Sequence, residues 1–287
     1  MNASSFQLGT QIFQLAGGTV AGRMHTISGR NNQDAFAWAS TPQGFVAVVC
    51  DGCGSSPHSE VGAQLGARLV AKTMAVQLSR GESPESPAFW QAARTEVLET
   101  LGGLAGVLGG NPVDAVADYL LFTAIGAVIT ETAARCFSAG DGLIAINGKP
   151  LVIGPFPDNA PPYLAYALFE EAGDKYRFEP QGSIATSELQ SLVLGTDGAA
   201  DLLEVEEDTL PGRDEPVGAF SQLWTDDRVF DNPDFLRRRL HLIARDAARP
   251  DWDGRELRTD PGLLGDDATV IALRRAPRGV GALSKGG

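Results

Sequence analysis

Apolar positions along this chain follow two spacings, each pointing to its own kind of element. Residues 45–50, Phe-Val-Ala-Val-Val-Cys, form an unbroken apolar run of strand length. Residues 19–24 and 35–38 read as two further strands on either side of the polar turn 28–32. From Glu60 to Leu78 the positions Val61, Leu65, Leu69 and Val76 recur near helical spacing, and 84–108 reads as a second helix behind a Ser/Pro start. Strands are then predicted at 119–130, 134–138 and 143–146, with turn residues between them and Lys149-Pro150 marking the exit. Residues 154–163, rich in Pro, Gly and Asn, predict an irregular surface crossing, and 192–195 a short buried strand. A helix is predicted over 232–248, with Phe235, Leu236, Leu240 and Ile243 on one side and Arg237, Arg238 and Arg239 toward solvent. The last strand is 268–273.

Strands and helices are thus grouped and not strictly alternating, which favours an α+β fold built on antiparallel sheets. The reading takes 1–275 as one domain and the Gly-, Arg- and Lys-containing stretch 276–287 as a disordered tail.

Composition narrows the function. Of the 287 residues 43 % are apolar, yet no window approaches the about 18 consecutive apolar residues that a membrane helix needs. The amino terminus lacks the basic start and apolar core of a secretory signal, so a cytoplasmic protein without membrane attachment is expected. A net charge of −13 repels polyphosphate backbones and argues against nucleic acid as a partner. Cys50, Cys53 and Cys136 are too few for a disulfide framework, and Cys50-x-x-Cys53 has no second cysteine or histidine pair to complete a zinc site. With His25, His58 and His241 the only histidines, a histidine-rich metal centre is excluded.

What remains is a series of aspartates at strand ends. Asp51 follows 45–50, Asp141 follows 134–138, Asp197 follows 192–195, Asp266 precedes 268–273, and Asp34 precedes 35–38. Carboxylates at strand ends can converge on one rim of a sheet. Glycine adjoins several of them, and Asp-Gly taken singly is a turn signal. Taken together the series suits hard divalent cations, which prefer oxygen ligands.

At these residues the chain resembles the protein phosphatase 2C family, the metal-dependent protein phosphatases, in its shorter bacterial branch. The motifs are Asn32-Gln33-Asp34-Ala35; Val48-Val-Cys-Asp-Gly52 with Gly54-Ser55; Ser59-Glu60-x-Gly62-Ala63; Gly140-Asp141-Gly142; Thr196-Asp197-Gly198; and Asp266-Asp267-Ala-Thr269. The resemblance implies a four-layer α-β-β-α sandwich, two antiparallel sheets face to face and flanked by helices, with a Mg²⁺ or Mn²⁺ centre of two ions at one end. It implies that Asp51 bridges both metals, that the Gly52 carbonyl binds one, and that Asp197 and Asp266 complete the other. Asp34 is then expected to hold a metal-bound water, and Asp141 with Asp197 to support a third, weaker ion. The implied chemistry is attack of a metal-bridging hydroxide on a phosphoserine or phosphothreonine of a protein substrate, with a cognate Ser/Thr kinase as the opposing enzyme and a monomer as the working unit.

The chain also departs from the family pattern. Gln33 stands where a metal-binding glutamate is usual, and Gly29 where a phosphate-binding arginine is, leaving Arg30, Arg23 and His25 as substitutes. Cys53 takes the place of a histidine proposed as general acid in animal relatives, and Leu143 that of the arginine in Gly-Asp-Ser-Arg. These departures motivate an alternative, a regulatory pseudophosphatase that binds a phosphoprotein without turnover; a small-molecule phosphatase is a third reading.

Overall fold

Two adjacent antiparallel sheets organise this protein, and the unbroken apolar run at 45–50 shows why. The computed structural model describes residues 3–170 and 175–277. The chain opens with β1 (Ala3–Leu8) and β2 (Gln11–Val20), then α1 (Arg23–Ser28), β3 (Asp34–Thr41) and β4 (Gly44–Asp51). On β4, Phe45, Ala47 and Val49 pack between the sheets, while Val46, Val48 and Cys50 face the helices. A strand covered on both faces has no polar side, hence no alternation.

Helices α2 (Ser59–Ser79) and α3 (Pro87–Leu108) form the outer layer on that side. Helix α2 buries Ala63, Ala67, Val70, Met74 and Leu78, and α3 buries Phe89, Ala93, Val97, Leu101 and Ala105, each set at a spacing of three to four. The N-terminus of α3 is capped by Ser86, whose side chain accepts from Ala88 N, with Pro87 in the first turn. After α4 (Pro112–Ala115) and a π-type turn at Val116–Leu120 come β5 (Ala124–Thr130), β6 (Ala133–Ala139), β7 (Gly142–Ile146) and β8 (Lys149–Ile153). Short 3-10 turns lead to β9 (Glu179–Ala185) and β10 (Ser191–Gly195), and another spans Asp197–Leu203. The chain closes with α5 (Gln222–Thr225), α6 (Asp227–Asp231), α7 (Phe235–Ala244), the hairpin β11 (Ala247–Asp251) and β12 (Glu256–Asp260), and β13 (Ala268–Arg275).

One sheet has the order β1-β2-β13-β10-β7-β8 and the other β3-β4-β5-β6-β9. Phe13, Leu15, Ile125, Ile144, Leu194 and Ile271 fill the space between them. On the far side, Leu236, Leu240 and Ile243 of α7 pack on Ala16 and Val20 of β2 and on Val270 and Ala272 of β13. The result is the four-layer α-β-β-α sandwich expected.

Several local expectations are corrected. The strand expected at 19–24 ends at Val20, and residues 23–28 wind into α1, because Gly22 N and His25 are both drawn to the carboxylate of Asp267. The segment 119–130 becomes a strand only from Ala124; before it the chain turns helically and buries Leu120 under α2 and α3. Lys149-Pro150 opens an exposed edge strand where an exit was expected. The helix expected over 232–248 stops at Ala244, and its last residues enter the β11-β12 hairpin. Of the expected tail, Ala276 donates its N–H to Ile12 O at 2.8 Å, and residues 278–287 lie outside the described residues. Among the described residues no helix is long and apolar enough to cross a membrane.

Candidate metal centre

Asp34 opens β3 and Asp51 closes β4, and the antiparallel register sets them directly opposite each other. Opposed residues share a face about 5 Å apart, so two like charges meet there. Burial is the first cause that pushes both carboxyls well above the usual range. For Asp34 the hydroxyl of Thr196 works against that push, and the charges of Asp267 and Asp197 add to it. For Asp51 the charges of Asp34, Asp197 and Asp266 add to burial.

The backbone around Asp51 is held on both sides. Its N–H donates to Thr123 Oγ1 at 3.2 Å, its carbonyl accepts from Thr123 N at 2.7 Å, and Gly52 N donates to Gln33 O at 3.0 Å.

Asp197 enters from the other sheet, at the end of β10. Burial, then the charges of Asp141 and Asp266, raise its carboxyl to about 6, against a hydrogen bond from Gly198 N. Thr196, the residue before it, donates its hydroxyl to Asp34 Oδ2 at 2.7 Å and accepts from Thr269 N at 3.0 Å. This links β3 to β10 and β13 across the sandwich. Asp141 lies buried in the turn between β6 and β7, its carboxyl raised by burial. Asp266 is exposed at the entrance to β13, with Oδ1 accepting from Asp267 N at 2.8 Å.

Two glycines grip that entrance. A Cβ on Gly22 would sit 2.1 Å from the carbonyl carbon of Asp266, and one on Gly198 would sit 2.2 Å from the carbonyl oxygen of Asp267. No other residue allows the backbones so close.

The charge relations therefore join Asp51 to Asp34, Asp197 and Asp266, and Asp197 to Asp141. Repulsion among carboxylates brought this near to one another is what a divalent cation relieves, and Asp34 Oδ1 is buried without a partner. Carboxylate oxygens of this kind suit Mg²⁺ or Mn²⁺, and Gly52 follows directly after Asp51 at the end of β4.

The family model described as Protein phosphatase 2C matches residues 21–227. The chain belongs to the protein phosphatase 2C family. Among solved structures, this protein phosphatase 2C chain is similar to the serine/threonine phosphatase Stp1 from Staphylococcus aureus, with 14 % identity and a TM-score of 0.53 over 96 % of this chain and 100 % of that one. It is also similar to a bacterial serine phosphatase, with 16 % identity and a TM-score of 0.51 over 93 % of this chain and 99 % of that one. These likenesses bear on the fold. Comparison with curated protein sequences gives no match.

The cationic side chains considered for phosphate in this protein phosphatase 2C chain are engaged elsewhere. Arg23 pairs with Asp246 at 2.7 Å. Arg30 donates to Gly54 O at 2.8 Å and Ser56 O at 3.2 Å, bracing the loop after Gly52. His25 is buried against Asp267. Gln33 is buried as well, with Oε1 unpartnered. Cys53 Sγ lies 3.2 Å from Ser55 Oγ, and all three cysteines are free thiols.

Sequence reasoning missed three contributors. In the sequence Thr196 shows no more than its place beside Asp197. Asp201 follows Asp197 by four residues in the same 3-10 helix, and its carboxyl is raised by burial and by the charges of Glu204 and Asp266. Asp267 is 2 % exposed and takes hydrogen bonds from Gly22 N at 2.7 Å and Gln33 N at 2.5 Å. An acidic doublet before an apolar strand was the signal available for it.

Proposed function

We propose that this chain is a metal-dependent protein phosphatase that hydrolyses phosphoserine and phosphothreonine in protein substrates. The observation that carries this reading is that Asp51, set opposite Asp34 in one sheet, feels the charges of Asp34, Asp197 and Asp266, the last two brought by strands of the other sheet. In this reading Asp51, the Gly52 carbonyl, Asp197 and Asp266 hold two Mg²⁺ or Mn²⁺ ions, and Asp141 with Asp197 a third. Ions bound there supply two things, a lowered pKa for an attacking water and neutralisation of the phosphoryl oxygens.

The chain's own groups set the geometry. Asp34 has Oδ2 fixed by Thr196, so Oδ1 is the atom left to accept a proton from, and so orient, a water. Arg30 acts here through the loop it braces.

The test is release of phosphate from a phosphothreonine peptide with Mn²⁺, beside the Asp51→Asn variant. Turnover by the parent and at least a hundredfold loss in Asp51→Asn support the reading; folded parent protein with no more turnover than Asp51→Asn rejects it. A regulatory pseudophosphatase is the second reading, favoured by the engagement of Arg23 with Asp246 and of Arg30 with the Gly54 carbonyl. It predicts binding of the phosphopeptide without phosphate release.

A further inference from the structure

Beside the aspartate centre, on the α1 side of Asp266, lies a group with a different donor chemistry. Among the described residues, His25, Asp266 and Asp267 form a group whose ligand atoms all lie within 4.8 Å of one another. His25 is 9 % exposed, and its Nδ1 has no hydrogen-bond partner. That nitrogen nevertheless lies 2.8 Å from Asp267 Oδ2, off the axis of a directional hydrogen bond.

We infer that His25, Asp266 and Asp267 form a divalent-cation site of their own, with one nitrogen and two carboxylate donors. It shares Asp266 with the centre proposed above, but it needs neither turnover nor substrate. Ligands bonded at about 2.1 Å and at right angles lie about 3 Å apart, close to the observed separation of Nδ1 and Oδ2. Asp267 is prepared as a ligand is. Backbone N–H groups of Gly22 and Gln33 fix one oxygen each, and carboxylates that bind metals are themselves held by such donors. Asp266 has Oδ1 fixed by Asp267 N, which leaves Oδ2 for an ion. The close approach of Gly22 and Gly198 holds the doublet's backbone in place.

The imidazole sets the ion class. One nitrogen with two oxygens suits Zn²⁺, Co²⁺ or Mn²⁺, whereas Mg²⁺ prefers oxygen alone. An ion there puts positive charge beside a rim whose neighbouring Arg23 is paired with Asp246.

Pulsed electron paramagnetic resonance of the Mn²⁺-loaded full chain reads imidazole nitrogen on the bound ion directly. The expected result is a nitrogen coupling in the parent that survives in Asp51→Asn and disappears in His25→Gln, although His58 and His241 remain. Equilibrium dialysis with Zn²⁺ then shows one ion fewer per chain in His25→Gln. Absence of coupling in the parent overturns the inference, and so does its persistence in His25→Gln. If His25→Gln does not fold, the parent and Asp51→Asn spectra decide: coupling in both supports the site and its absence rejects it. Coupling without phosphatase turnover leaves this site standing and rejects the preceding reading; turnover without coupling does the reverse.

Discussion

Thr196 reaches across the sandwich to Asp34, its hydroxyl donating to Oδ2 at 2.7 Å from the opposite sheet. Both residues are buried, so neither water nor a neighbour replaces the bond if it is lost. Thr196→Val removes that donor and the acceptor used by Thr269 N, and should cost about 3 kcal/mol in urea unfolding with EDTA present. Thr196→Ser keeps the hydroxyl and should lie within about 1 kcal/mol of the parent. Equal stability of the valine variant and the parent would contradict the bond's importance.

Asp51→Asn should stabilise the ion-free chain. The metal-free parent carries like charges from Asp34, Asp197 and Asp266 around Asp51. Neutralising it should raise the midpoint of thermal unfolding in EDTA by about 2 °C or more for each kcal/mol of repulsion relieved. The same variant should lose most of the Mn²⁺ binding heat in calorimetry. A variant that melts lower than the parent without metal would count against crowding of charge at this position.

Stability without metal should fall as pH rises from about 4 to 6. Asp197, raised to about 6, binds its proton more tightly in the folded chain than in the unfolded one. Within that window the native state carries the extra proton, so removing protons favours unfolding. Asp34 and Asp51 are shifted in the same direction. Asp226, lowered first by its hydrogen bond with Arg228, and Asp246, lowered first by Gly262 N, have given their full contribution above their ordinary range. Melting curves in EDTA across the window check this, and saturating Mn²⁺ should restore the loss at its upper end. A midpoint that climbs over the window would refute it.

Gly22→Ala should destabilise by about 2–3 kcal/mol and weaken Mn²⁺ binding, since the added methyl meets the backbone of Asp266. Gly265→Ala is the control. It lies next to Asp266 with nothing within 4 Å of the added atom, and should stay within about 0.5 kcal/mol. Similar losses in both variants would point to a general intolerance of the turn.

The strands that carry the centre were legible because each is a short apolar run closed by a polar turn, as at 45–50 and 192–195. Their aspartates were legible for the same reason. Helix α1 was not, since six residues give too little periodicity and its conformation is set by Asp267, far away in sequence. The hairpin β11-β12 is exposed and lacks apolar alternation, so Ala247 and Ala248 read as a continuation of α7. Edge strand β8 is solvated and gives no burial signal either. At the site, Asp267 and Thr196 stayed hidden because their importance lies in partners on the other sheet or on α1.

Strand β13, the last among the described residues, lies between β2 and β10 in the interior of its sheet and brings Asp266 with it. Translation proceeds from the amino terminus, so β2 waits with an open edge until residue 275 has left the ribosome. A growing or prematurely ended polypeptide therefore has neither a closed sheet nor a complete set of acidic groups. The same strand thus completes the sheet and the acidic set together.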